Sequence, residues 1–194
     1  MLRALPIVVL VLAGLAGAIL LWPRDEAAST PSTGVVSLIG DSLNVGIEPY
    51  LADALPGWVV RTENEVGRAS AEGIDVIERE RASLGRVVAV SLGTNDPQDD
   101  PSTFRGHVRR ALGLVGQRCV VWVRIWRNGP NEAFNDVLAE EAQANRLLTL
   151  VEWDSMLVAH PEWLAADGVH ATPDGYRART LAVAAAVRSC ERRP

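Results

Sequence analysis

Among the three histidines in this 194-residue chain, His170 has a carboxylate at a short loop spacing, Asp167, able to orient its ring. A serine attacks a carbonyl only when a base takes its proton. Ser42 stands in Gly40-Asp41-Ser42-Leu43, directly after an apolar, β-branched run. Ser42, His170 and Asp167 are therefore a candidate triad of nucleophile, base and orienting group. Acyl chemistry also needs donors aimed at a developing oxyanion. The Ser42 N–H is one, because a turn from strand into helix leaves its first N–H groups free at the positive end of the dipole. Gly67, in Val66-Gly67-Arg68, offers an N–H that a substrate can approach for want of a Cβ. Asn95, in Gly93-Thr94-Asn95-Asp96, offers a side-chain NH₂. Gly73 is the alternative to Gly67, but it falls in a run that reads as helix. No Gly-x-Ser-x-Gly elbow occurs, which disfavours the α/β-hydrolase arrangement of the same triad.

Other polar residues have blander readings. Asp41 and Asp96 are expected to hold loops by hydrogen bonds, and Glu140-Glu141 to form an exposed helical face. His107 and His160 are expected at the surface. Trp126, Trp153 and Trp163 follow strands or lie near the segment 167–170, so they either line a sugar or acyl site or pack as core and rim. Cys119 and Cys190 show no CxxC or histidine spacing, so no metal site is expected. In an oxidising compartment they can bridge a central strand to the last helix. Two free thiols remain the alternative until the Cα separation is known to fall within about 4.4–6.8 Å.

The elements that must position these groups alternate in type. Short runs rich in Val or Ile at 35–39, 58–61, 86–92, 119–125 and 148–152 read as strands. Helix-length segments follow at 43–55, 69–84, 102–115, 131–146 and 173–190, the last opened by Thr172 as cap and Pro173 as first residue. Five β-α units predict an α/β fold: a five-stranded parallel sheet covered on both faces, a three-layer α/β/α sandwich. Its site should lie beyond the carboxyl ends of the strands, where all the candidate residues stand.

The N-terminus is a separate object. From Ala4 to Trp22, 19 residues carry no charge between Arg3 and Arg24, about enough at ~1.5 Å per residue to cross a hydrocarbon layer. Residues 1–24 are thus expected to be a transmembrane anchor or a cleaved signal peptide, the length favouring the anchor. Residues 25–33 read as a polar, proline-containing linker and 34–194 as the folded domain. All 19 basic residues are arginine, against 24 acidic ones, for a net charge of −5. That composition excludes P-loop or Schiff-base lysine chemistry and argues against a nucleic-acid partner.

Taken together, Gly-Asp-Ser-Leu, Gly-Thr-Asn-Asp and Asp167-Gly168-Val169-His170 resemble the SGNH, or GDSL, hydrolase family over about residues 34–190. Ser42, Gly67, Asn95 and His170 stand in that family's order. Within it, Glu152-Trp153-Asp154, His160-Pro161-Glu162-Trp163 and Thr172-Pro173-Asp174-Gly175-Tyr176 look most like the SGNH domains attached to membrane O-acyltransferases that modify cell-wall glycans. The resemblance implies a flavodoxin-like fold, Ser42 as nucleophile, His170 as base, Asp167 as its orienter, and Ser42, Gly67 and Asn95 as oxyanion donors. It implies no metal or organic cofactor. The expected function is an exported serine esterase hydrolysing small, acetyl-type esters through an acyl-serine. One alternative is an O-acetyltransferase moving the acyl group to a cell-wall glycan. Another, of a different class, is a non-catalytic binding domain of the envelope. The expected partners are an acyl ester or acylated glycan and, through the N-terminal segment, the membrane. The expected location is extracytoplasmic.

Overall fold

The computed structural model describes residues 34–191. The expected anchor and linker, residues 1–24 and 25–33, lie outside the described residues. Five strands, β1 (Val35–Gly40), β2 (Val59–Asn64), β3 (Val87–Ser91), β4 (Cys119–Val123) and β5 (Leu148–Val151), form one sheet. Its order is β2-β1-β3-β4-β5 and every pairing is parallel. The helices are α1 (Ser42–Ile47), α2 (Leu51–Ala54), α3 (Ser70–Arg79), α4 (Pro101–Val115), α5 (Glu132–Ala144), α6 (Trp153–Ala159) and α7 (Pro173–Glu191).

The three layers follow from the two-residue side-chain period of the inner strands. Ile39, Val88, Val90, Val120 and Trp122 point to one face, against Ile74 and Ile77 of α3, Phe104 and Val108 of α4, and Phe134 and Leu138 of α5. Val36, Leu38, Ala89, Val121 and Val123 point to the other, against Ile47, Leu51, and Val183, Ala184 and Val187 of α7. Strands buried on both faces must be apolar throughout, which is why β3 and β4 read as unbroken runs. The edge strand β2 carries Arg61, Thr62, Glu63 and Asn64 and extends three residues beyond the expected 58–61.

Two departures have local causes. The expected helix 43–55 breaks into α1, a 3₁₀ turn over Glu48–Tyr50, and α2. Pro49 has no N–H to give and its ring crowds the preceding turn. Helix α6, in a segment with no helix expected, is only seven residues long and carries Trp153 and Leu157 into the core. A helix that short has almost no periodicity to detect.

Cys119, at the start of β4, and Cys190, near the end of α7, form a disulfide with Cα atoms 5.8 Å apart. Both are buried. The bridge closes a loop with a sequence separation of 71, for which chain entropy suggests about 4 kcal/mol of stabilisation. Replacing both cysteines by alanine is expected to lower the unfolding free energy by about 2–4 kcal/mol in urea titrations. An unchanged midpoint would show that the native chain does not rely on the bridge.

Candidate active site

The segment carrying the candidate base His170 is held by backbone pairing. Leu164 and Ala171 form an antiparallel bridge, Thr172 N–H donates to Trp163 O at 2.8 Å, and Ala165 N–H donates to His170 O at 2.8 Å. At the tip, Gly168 adopts φ +73°, and a Cβ there would collide with Asn128 Oδ1. Asn128 N–H in turn donates to Gly168 O at 2.8 Å, so the loop after β4 braces the loop that precedes α7. Thr172 caps α7 as expected, its Oγ1 accepting from Gly175 N–H at 3.3 Å.

On this support, Asp167 Oδ1 accepts the N–H groups of Val169 at 3.0 Å and of His170 at 2.9 Å. Asp167 Oδ2 lies 2.7 Å from His170 Nδ1. The Val169 N–H, and after it the His170 ring and N–H, hold the Asp167 carboxyl down to about 2 from an ordinary 3.8. An ionised carboxylate can only accept, so Nδ1 carries a ring proton, and in the neutral imidazole Nε2 presents its lone pair. That lone pair faces Ser42 Oγ at 2.9 Å. The three residues nominated from sequence thus lie in one hydrogen-bonded line, across a separation of 128 positions between Ser42 and His170. The line is open to solvent: the side chains of His170 and Asp167 are 41% and 53% exposed.

Ser42 opens α1, and Asp41 is its cap. The Asp41 side chain accepts Leu43 N–H at 3.0 Å and its carbonyl takes Asn44 and Val45 N–H at 3.0 and 3.1 Å. The cap therefore falls on residues beyond Ser42. Gly67 sits exposed in the turn after β2 at φ +81°, with nothing within 4 Å of where a Cβ would be. Gly73 is different: it is buried in α3, where a Cβ would collide with Leu92, so its bareness serves helix-to-sheet packing. Asn95 is exposed after β3 and donates through Nδ2 to Arg68 O at 3.1 Å, which ties its loop to the Gly67 turn and leaves its second amide hydrogen over.

Sequence reading missed two arginines. Arg68, 8% exposed, donates to Gly40 O at 3.4 Å, to Glu63 O and to Glu65 at 2.9 Å, pinning the Gly67 turn to the ends of β1 and β2. Arg179, 1% exposed, donates to Ser91 Oγ at 2.8 Å beneath the site. A signal for it exists, because Arg179 shares the inward stripe of α7 with Val183, Val187 and Cys190 at spacings of four, four and three.

The remaining residues divide. Asp96 holds a loop, accepting Ser70 N–H at 2.6 Å. His160 is exposed, stacked on Trp163 with ring centroids 4.0 Å apart. His107 is not a free surface residue: it is half-buried with Nδ1 3.9 Å from Asp96 Oδ2. Glu141 is also not exposed, being 7% accessible and gripped by Arg105 at 3.1 Å and Arg109 at 2.8 Å. Trp153 is core, whereas Trp126 and Trp163 are half-buried.

Because the Asp167 carboxyl is depressed, whatever it adds to stability is complete above its ordinary value of 3.8 and is lost as pH falls through about 2. A carboxyl-carbon NMR titration is expected to place its midpoint near 2. A midpoint at the ordinary value would mean that the Val169 and His170 bonds do not hold the loop in solution.

No family model matches the chain. It is 30% identical over 166 residues to the peptidoglycan O-acetyltransferase OatA of Listeria monocytogenes, covering 80% of this chain and 24% of that protein. It is 27% identical over 148 residues to the O-acetyltransferase OatA of Staphylococcus aureus, covering 74% and 23%. The chain therefore spans about a quarter of the length of the curated relatives it matches. Among solved structures, it superposes on the C-terminal catalytic domain of Streptococcus pneumoniae peptidoglycan O-acetyltransferase A, bearing a methylsulfonyl adduct, with TM-score 0.70 and 18% identity over 84% of this chain and 96% of that one. A lipase/acylhydrolase from Enterococcus faecalis gives TM-score 0.67 and 18% identity over 80% and 95%. Sheet order, the four sequence blocks in their order and these likenesses agree: the chain has the fold of the SGNH/GDSL hydrolases.

Proposed function

We propose that the chain is an extracytoplasmic serine acyl-transfer enzyme that takes an acetyl-type group onto Ser42 and passes it to a hydroxyl of a cell-envelope glycan. The observation that carries this is the line from Ser42 Oγ to His170 Nε2 at 2.9 Å and from His170 Nδ1 to Asp167 at 2.7 Å. His170 Nε2 takes the Ser42 proton as Oγ bonds to the acyl carbon, and the carbonyl electron pair moves onto its oxygen. The Ser42 N–H, Gly67 N–H and Asn95 NH₂ stabilise that oxyanion. Collapse breaks the bond to the leaving oxygen, which receives the proton from His170. An acceptor hydroxyl then attacks the acyl-serine, gives its proton to His170, and collapse returns the proton to Ser42 Oγ.

Likeness to two proteins named O-acetyltransferases supports the glycan hydroxyl as acceptor. Hydrolysis is the second reading, favoured by the exposure of His170 and Asp167, which lets water reach the base. The disulfide supports an oxidising compartment outside the cytoplasm. The 19 uncharged residues from Ala4 to Trp22 support membrane attachment through residues 1–24; no helix among the described residues is long and apolar enough to cross a membrane.

With an aryl acetate as donor and glycan oligomers as acceptor, Ser42→Ala and His170→Ala are expected to abolish turnover. Asn95→Ala is expected to lower kcat by about 10²–10³-fold. Acetylated oligomer should exceed free acetate in the transfer reading, and the reverse ratio would replace it with hydrolysis. Turnover by Ser42→Ala at the unaltered rate would end the serine mechanism altogether.

A further inference from the structure

Two side chains of opposite charge type are buried beside the Ser42 turn. Arg179 and Asp41 are 1% and 0% exposed, a guanidinium and a carboxyl group both withdrawn from water. They meet through a hydroxyl: Arg179 Nη2 donates to Ser91 Oγ at 2.8 Å, and Ser91 Oγ, whose own hydrogen remains to give, lies 3.4 Å from Asp41 Oδ1. That same Oδ1 accepts Leu43 N–H at 3.0 Å, and Asp41 N–H donates to Ser91 O at 3.1 Å. The Arg179 guanidinium also lies 5.0 Å over the Trp153 ring, while its Nε and Nη1 find no hydrogen-bond acceptor among the described residues.

A fold needing only stability here would do as well with apolar side chains of similar volume. The placement of the three groups indicates what the charges do instead. Asp41 precedes the nucleophile Ser42. Ser91 closes β3, four residues before Asn95. Arg179 lies on α7, nine residues after the base His170. One polar chain thus crosses the three segments that carry nucleophile, oxyanion donor and base.

We infer that Arg179, acting through Ser91 on Asp41, is a positioning residue that sets the Ser42 turn against His170 and the Asn95 loop. Resting on the serine mechanism proposed above, this assigns the buried pair to the reactivity of Ser42 and not to substrate binding. Burial pushes the Asp41 carboxyl up, and Arg179 draws it back toward the charged form. Burial lowers Arg179 to about 10, which leaves it protonated at neutral pH.

The test is the rate at which a fluorophosphonate probe labels Ser42 in the full chain, alongside kcat and KM for an aryl acetate, corrected for the folded fraction by circular dichroism. Ser91→Ala removes the linking hydroxyl while keeping both charged side chains in place, and Ser91→Thr restores the hydroxyl on a side chain suited to a strand. Ser91→Ala is expected to slow labelling and kcat about tenfold with KM within twofold, and Ser91→Thr to recover most of the loss. Arg179→Met should lose more, and Arg179→Lys should recover part of it. Should Arg179→Met fail to fold, the two Ser91 variants decide the matter. Labelling at the unaltered rate per folded molecule in Ser91→Ala would overturn the positioning role, as would a loss confined to KM. Absence of labelling in the unaltered chain would instead overturn the serine mechanism, and this role with it.

Discussion

Five parallel strands can satisfy their backbone N–H and C=O groups only in a shared ladder, and each parallel neighbour must be reached by a crossover that returns the chain to the same starting edge. All five carboxyl ends therefore open onto one rim. The rest of this domain follows from that constraint. Ser42 follows β1, Gly67 follows β2, Asn95 follows β3, and the bracing Asn128 follows β4. Asp167 and His170 arrive after β5 and α6, on a hairpin that Asn128 supports by its bond to Gly168. Residues as far apart in sequence as Ser42 and His170 meet because the ladder leaves their segments no other edge to occupy.

The site itself divides its charges by depth. The Asp167 and His170 pair is exposed, and the aspartate is held ionised chiefly by backbone N–H groups rather than by exclusion of water. Solvent screens their attraction, so the pair is suited to orienting a ring and settling its tautomer, not to supplying stability. Asp41 and Arg179 are the reverse case. Both are sealed from water, where an unmatched charge would be very costly, so each needs the other across Ser91. The rim that carries Asp167 and His170 is thus open to solvent, and the floor under the Ser42 turn is closed to it.

Much of this was legible in the chain. The β-α alternation, the three-layer architecture, and the line of Ser42, His170 and Asp167 could be read because each rests on a local signal: apolar period, a cap, or a serine and a histidine beside strand and helix boundaries. Pro49 could have been read as a break in the first helix. Helix α6 could hardly have been, since seven residues make barely two turns. Glu141 looked like a solvated face because its partners, Arg105 and Arg109, sit on another helix over thirty residues away.

Residue type and spacing, then, determined the menu: which side chains could act as nucleophile, base, orienter and donor, and on which edge they would lie. Tertiary structure decided what no short window of sequence contains. It joined Cys119 to Cys190, it separated the turn glycine Gly67 from the packing glycine Gly73, and it set Arg179 against Ser91 and Asp41. The physical reason is common to all three. A bridge, a colliding Cβ and two buried side chains linked by a hydroxyl are defined by distances between segments, and those distances exist only once the sheet has assembled.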